Sequence, residues 1–241
     1  MNIYTNTYDQ FADRYAASIG QEKAAGFSFY HDLIMPYLLT SLGDVADATI
    51  LDAGCGEGYL ARLLANQGAK VTAIDISPRL VALAEAQAEQ LTMTYLVHDL
   101  SKPLPQYEHA FDLVVSNLVL NDVYDYIGYI TTLGAVTKLG GRVVLVMNNP
   151  YSAVIREKVT NYFEQGTAIL YQGLAEAGIK VYYFHRTLAE YVTAFQTAGF
   201  LLKHLSDLPI TEDMLKQGAP PKYYQFPYFM LLDFVKVAEH G

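Results

Sequence analysis

From about Thr49 to Met147, short apolar runs alternate with stretches whose apolar positions recur every three or four residues. Thr49–Asp52, Val71–Asp75, Met93–Val97, Phe111–Val115 and Arg142–Met147 are the apolar runs, each of strand length. Tyr59–Ala65 has helical spacing and is stopped by Gly68. Ser77 and Pro78 supply an N-cap and a first helical position for a helix reaching about Gln90. Another helix covers about Asp122 to Lys138, and Gly140-Gly141 turns the chain into the fifth strand. Strands separated by helices pair in parallel through right-handed crossovers, so the pattern predicts an α/β sheet.

The stretch 148–186 breaks this rhythm, with helices expected near Ser152–Glu164 and Ala168–Ala177. Thr187–Thr197 then reads as an amphipathic helix stopped by Gly199, and Phe200–Leu205 and Phe226–Val237 as two final strands. No internal repeat or low-complexity tract appears. The expectation is one domain over residues 1–241, with an N-terminal helical lid over 1–45 and an insertion over 148–186.

Composition narrows the function classes. An apolar fraction of 52% against 17% charged describes a folded chain with a substantial core. The net charge of −9 and the lack of any Lys/Arg cluster argue against a phosphate-backbone partner. Cys55 is the one cysteine, which excludes an intramolecular disulfide and a multi-cysteine metal site; no metal is expected. Residues Met1 to Thr5 show no basic segment leading into an apolar run, and no stretch approaches the ~20 apolar residues of a membrane span. A cytoplasmic protein without a membrane partner is expected. The chain holds 20 tyrosines and no tryptophan, and its aromatics crowd toward the two ends.

Asp52-Ala53-Gly54-Cys55-Gly56-Glu57-Gly58 joins the first strand to the first helix, the setting of a nucleotide-type loop. Glycines let a ligand approach the backbone, and free amides at the following helix start favour a carboxylate or phosphate. The dinucleotide fingerprint G-x-G-x-x-G fails because position 59 is Tyr. Asp75 ends the second strand about 20 residues on, where a carboxylate accepts from both hydroxyls of a ribose. Asp99 follows the third strand, placed to accept from an adenine amino group, with Ile76 and Leu100 packing on the base.

These stretches resemble the class I methyltransferases that use S-adenosylmethionine. Ile50 to Gly58 is similar to the family's first motif, Ala73-Ile74-Asp75-Ile76-Ser77 to its second, and His98-Asp99-Leu100 to its adenine-contacting position. Phe111 to Asn117 resembles the fourth-strand motif, and Leu139-Gly140-Gly141-Arg142 the turn before strand five. The likeness covers about residues 8–147 and resumes at Thr187. It implies a Rossmann-like doubly wound seven-stranded sheet, mostly parallel with an antiparallel last strand, plus a helical insertion after strand five. It also implies S-adenosylmethionine as cofactor, S-adenosylhomocysteine as product, and Asp52, Gly54, Gly56, Gly58, Asp75, Ile76, Asp99, Leu100 and Asn117 at the cofactor.

Tyr8-Asp9-Gln10-Phe11-Ala12-Asp13-Arg14-Tyr15 resembles the N-terminal helix of small-molecule members, which lids the cofactor and places Tyr8 near its methionyl end. The same spacing also suits a helix packing Tyr8, Phe11 and Tyr15 on the sheet. The insertion, with Tyr151, Tyr162, Tyr171, Tyr182, Tyr183, Phe184 and His185, is placed to cover the ligand crevice. Its aromatics equally suit a satellite core or a homodimer surface. Asn148-Asn149-Pro150-Tyr151 follows strand five rather than strand four, so its likeness to the N-P-P-Y of amide-directed enzymes is accidental.

Methyl transfer needs an aligned nucleophile and excluded water more than heavy chemistry. His185, His31 and Asp122 are candidate bases by placement, and Tyr30, Tyr151 and His185 candidate acceptor contacts. The expected reaction is in-line transfer to a small or mid-sized organic O-, N- or C-nucleophile. Two other readings stay open: a non-catalytic cofactor-binding scaffold subunit, and a nicotinamide-dependent oxidoreductase, which Tyr59 disfavours.

Overall fold

Five strands pair side by side in parallel: β1 (Thr49–Ala53), β2 (Lys70–Asp75), β3 (Thr94–Val97), β4 (Phe111–Asn117) and β5 (Thr137–Asn148). The computed structural model describes residues 8–17, 26–88, 91–170 and 181–238. Two short strands, β6 (Ala168–Leu170) and β7 (Tyr182–Phe184), form a separate antiparallel pair. β8 (Phe200–Leu208) and β9 (Phe229–Lys236) complete the main sheet in the order β3-β2-β1-β4-β5-β9-β8. β9 runs antiparallel to both neighbours. The seven strands and the reversed last strand match the expected doubly wound sheet.

Helices cover both faces, so the central strands read as continuous apolar runs. Alternate residues then sort to opposite sides. Ile50, Leu113, Val115, Val144 and Val146 face one core. There they meet Leu38 of α1 (Met35–Leu42) and Leu60 and Leu64 of α2 (Tyr59–Asn66). Leu51, Val114, Val143, Leu145 and Met147 face the other core. The partners there are Tyr129 and Leu133 of α4 (Tyr126–Val136) and Phe195 of α6 (Leu188–Thr197). Each such buried aliphatic side chain contributes about 1.5–3 kcal/mol. α3 (Pro78–Gln87) follows β2 with Ser77 as N-cap, as expected, its hydroxyl accepting from Leu80 N–H at 3.2 Å. The last residues of that expected helix, 89–90, lie outside the described residues.

Strand order reverses between β1 and β4, which opens a crevice at their carboxyl ends. α4 starts later than Asp122 because the Asp125 carboxylate caps it, accepting from Gly128 N–H at 3.0 Å. Asp122, Val123 and Tyr124 therefore stay in the loop, at the mouth of that crevice. Thr187 and Glu190 form a reciprocal cap at the start of α6.

The insertion departs from the two helices expected of it. α5 (Pro150–Ile155) is short and ends before Glu157, whose φ of 55° cannot continue a right-handed helix. The stretch from Ala168 begins as strand β6 because Ile169 pairs with Tyr183 and both are buried, a period of two rather than 3.6. The remainder of the expected helix, 171–177, lies outside the described residues, as do 1–7 and 18–25 of the expected lid. Two short helices, α7 (Glu212–Lys216) and α8 (Lys222–Gln225), occupy the loop before β9, which begins at Phe229 rather than Phe226. No helix among the described residues is long and apolar enough to cross a membrane.

Candidate functional site

The loop after β1 is held by backbone bonds from Gly54 and Cys55 N–H to the Ile74 carbonyl, at 2.7 and 3.0 Å. Its three glycines have φ of 86°, 56° and 81°, a region that L side chains rarely enter, and each meets different surroundings. A Cβ on Gly54 would lie 2.4 Å from Val119 Cγ2, so this glycine lets the loop pack on the chain after β4. A Cβ on Gly58 would lie 2.8 Å from the Ala84 methyl, so that glycine lets α2 approach α3. Among the described residues, a Cβ on Gly56 would meet only the Tyr15 ring, at an ordinary contact distance of 3.5 Å from Cε1.

Asp75 closes the loop: Oδ2 accepts from Gly56 N–H at 2.9 Å and Oδ1 from Ser77 N–H at 2.8 Å. Burial raises its pKa against those bonds. Asp52 lies under the loop, 2% exposed, with Oδ2 lacking a hydrogen-bond partner. Burial, then the nearby charge of Asp75, pushes its carboxyl up to about 7. Burial also pushes the Tyr30 phenol well up, beside Tyr15, Asp52 and the Asn117 amide.

A cavity of about 360 Å³ opens at the carboxyl ends of the first four strands. Among the residues expected at a ligand, Tyr8, Gly54, Gly56, Asp75, Ile76, Asp99, Leu100, Asn117 and Asp122 line it. The Tyr8 hydroxyl donates to Asp122 Oδ2 at 2.7 Å, joining the N-terminal helix to the loop after β4. Asp99 turns that side of the cavity by accepting from Ser101 N–H at 2.9 Å. Asn117 Oδ1 is buried without a partner. Asp52 and Tyr30 sit behind this lining, and Gly58 faces α3 instead.

Three expected residues stand elsewhere. His185 is 2% exposed, its Nε2 2.8 Å from the Tyr162 carbonyl. Its ring thus holds the segment around Tyr162, and His185 is not among the residues that line the cavity. The His31 ring packs edge-on against Tyr30 and Tyr59, at centroid distances of 5.2 and 5.0 Å, away from the lining. Tyr151 stacks on Tyr162 at 4.9 Å, half exposed on the outer side of the insertion. Asn149 caps α5, accepting from Tyr151 N–H at 3.0 Å, which gives the Asn-Pro-Tyr segment a structural occupation.

Arg186, one residue beyond His185, is the contact that sequence reasoning missed. It is 5% exposed, and Nη2 donates to the carbonyls of Val123 and Tyr124 at 2.9 and 2.8 Å. Its guanidinium lies 4.3 Å from the Tyr126 ring centroid and 5.3 Å from that of Phe184. Phe184 N–H donates to the Asn121 carbonyl at 2.7 Å, and Asn121 Oδ1 accepts from Asn148 N–H at 2.8 Å. These bonds fasten β7 to the loop after β4, and Val181 and Tyr182 reach the cavity as a result. Pattern alone gives no such signal, because the choice between His185 and Arg186 is made by which way β7 faces.

Residues 51–145 match the protein family described as methyltransferase domain. The chain is 39% identical over 106 residues to a malonyl-[acyl-carrier protein] O-methyltransferase of Pseudescherichia vulneris, covering 44% of this chain and 41% of that protein. It is 30% identical over 149 residues to a ubiquinone biosynthesis O-methyltransferase of Xanthomonas euvesicatoria pv. vesicatoria, covering 60% of this chain and 61% of the relative. The chain thus spans roughly half the length of these curated relatives. A solved S-adenosylmethionine-dependent methyltransferase from Mesorhizobium loti superposes with a TM-score of 0.72 at 25% identity, over 86% of this chain and 100% of that one. With the loop, the acidic strand ends and the sheet order already in place, residues 51–145 carry a methyltransferase domain, on a fold shared with the S-adenosylmethionine-dependent methyltransferase of Mesorhizobium loti.

Proposed function

We propose that this chain is an enzyme that transfers a methyl group from S-adenosylmethionine to a small organic acceptor. The observation that carries the reading is one cavity lined by Gly54, Gly56, Asp75, Asp99 and Asn117, from four strand ends, together with Tyr8 and Asp122. The cofactor fits these residues. Among the described residues, no backbone or bulky side chain other than Tyr15 stands near the would-be Cβ of Gly56, and the partnerless acceptor Asn117 Oδ1, on a residue of the lining, suits a ligand that brings N–H donors or positive charge. When bound, S-adenosylmethionine supplies an electrophilic methyl group on a sulfonium sulfur.

The protein's own part is to bind, align and exclude water. Asp75 is placed to accept from ribose hydroxyls, Asp99 from the adenine amine, and Ile76 and Leu100 to pack on the base. Tyr8, from the N-terminal lid, and Val181 and Tyr182, from the insertion, close the cavity from two sides. Alignment of a nucleophile can supply about 7–11 kcal/mol of the barrier reduction. The cavity's volume of about 360 Å³ lies near the lower end of the 300–1,000 Å³ usual for small-ligand sites. The net charge of −9 supports a small-molecule acceptor over nucleic acid, and cytoplasmic residence and a homodimer belong to the same reading. Calorimetry with S-adenosylmethionine, followed by an acceptor screen for S-adenosylhomocysteine release, tests it. Absence of cofactor binding to the folded chain overturns it; binding without turnover on any acceptor leaves the scaffold reading in its place.

A further inference from the structure

The charges around the cavity are uneven. Asp75, Asp99, Asp122 and Asp125 line it against one lysine, Lys102, among the described residues, and no described arginine does so. Lys102 stands at the rim, 3.8 Å from Asp125, with both side chains at least half exposed. Asp75 and Asp99 lie at the ends of β2 and β3, whereas Asp122 follows β4 and meets the lid through Tyr8. The Tyr8 hydroxyl meets Asp122 directly, the next two residues, Val123 and Tyr124, line the same cavity, and Val181 and Tyr182 add aliphatic and aromatic surface to it. A carboxylate beside aromatic rings is a surface that attracts organic cations through both charge and ring faces.

We infer that the acceptor is a small amine on an apolar body, held as a cation by Asp122 and the surrounding tyrosines. The inference rests on the methyl-transfer reading above. The ammonium first gives one proton to water. The nitrogen lone pair then forms the new N–C bond to the methyl carbon while the S–C electron pair returns to sulfur. The carboxylate that holds the ammonium opposes loss of that proton. Once the amine is neutral, positive charge moves from sulfur to nitrogen, and Asp122 favours the charge that develops on nitrogen in the transition state. A phenolate or carboxylate acceptor would instead have to enter against four acidic side chains and cancel the charge they hold.

The test uses protein saturated with S-adenosylhomocysteine and titrated by calorimetry with benzylamine, benzyl alcohol and benzoate, then with alkyl- and arylamines of increasing size. Amines should bind at least tenfold more tightly than size-matched alcohols and carboxylates, and only amines should release S-adenosylhomocysteine when S-adenosylmethionine is supplied. Asp122→Asn should lose tenfold or more in amine affinity while S-adenosylhomocysteine affinity stays within threefold. Tyr8→Phe, which removes the hydroxyl and keeps the carboxylate, should retain most of the amine affinity. The comparison of amine with carboxylate on the unaltered protein stands even if a variant fails to fold. Equal or better binding of alcohols or carboxylates, no binding of any amine, or an Asp122→Asn variant that weakens S-adenosylmethionine as much as the amine would overturn the inference. Failure to bind either form of the cofactor is a separate result, which removes the methyl-transfer reading and this inference with it.

Discussion

Asp75 accepts two backbone N–H groups, so it both shapes the glycine loop and lines the cavity. Asp75→Ala should weaken S-adenosylmethionine by about 1.5–3 kcal/mol, the range for hydrogen bonds to a charged group, as read by calorimetry on the folded variant. Unchanged affinity would remove the ribose assignment. Asp52 makes a different prediction. Its folded-state pKa of about 7 lies above the ordinary carboxylate value of 3.8, so between these values the native chain holds a proton that the unfolded chain has lost. Stability should therefore fall as pH rises through that window, by up to about 1.4 kcal/mol per unit, and the loss is complete above the folded pKa. Asp52→Asn should flatten this slope in urea melts of the cofactor-free protein at a series of pH values. An identical slope in the variant would place the titration elsewhere.

The elements were legible where local pattern and burial agree. β1, β2, β4 and β5 are apolar runs buried on both faces, and Ser77-Pro78 writes a helix start into the chain. Gly54, Gly56 and Asp75 were equally legible, because a sharp turn beside a ligand allows few residue types. The insertion was not. Ala168-Ile169-Leu170 has helix-forming composition, and only the distant partner Tyr183 makes it a strand. His185 looked chemical and Arg186 did not, yet the buried arginine grips two carbonyls of the cavity loop. Arg186→Met should therefore reduce methyl transfer at least tenfold while S-adenosylmethionine affinity stays within threefold, with Arg186→Lys recovering part of the rate. Steady-state kinetics beside calorimetry separates the two effects. Normal turnover in the methionine variant would mean that the loop after β4 holds its shape unaided.

At the scale of the molecule, β9 lies between β5 and β8 although it follows both in sequence. While the chain is being synthesised, β5 has β4 on one side and an open edge on the other until residues 229–236 emerge. That edge carries Val143 to Met147, five consecutive apolar residues, and an unpaired apolar edge invites pairing with other chains. Chains ending before Phe229 should accordingly be recovered in the insoluble fraction, and a soluble, cooperatively melting product would refute this. The sheet is thus keyed late. Nascent copies on one polysome carry sticky, half-finished strands until the closing piece arrives, so the time spent between residues 148 and 229 sets the exposure to aggregation. Slowing translation across that interval should lower the yield of soluble protein more than the same delay placed after residue 236.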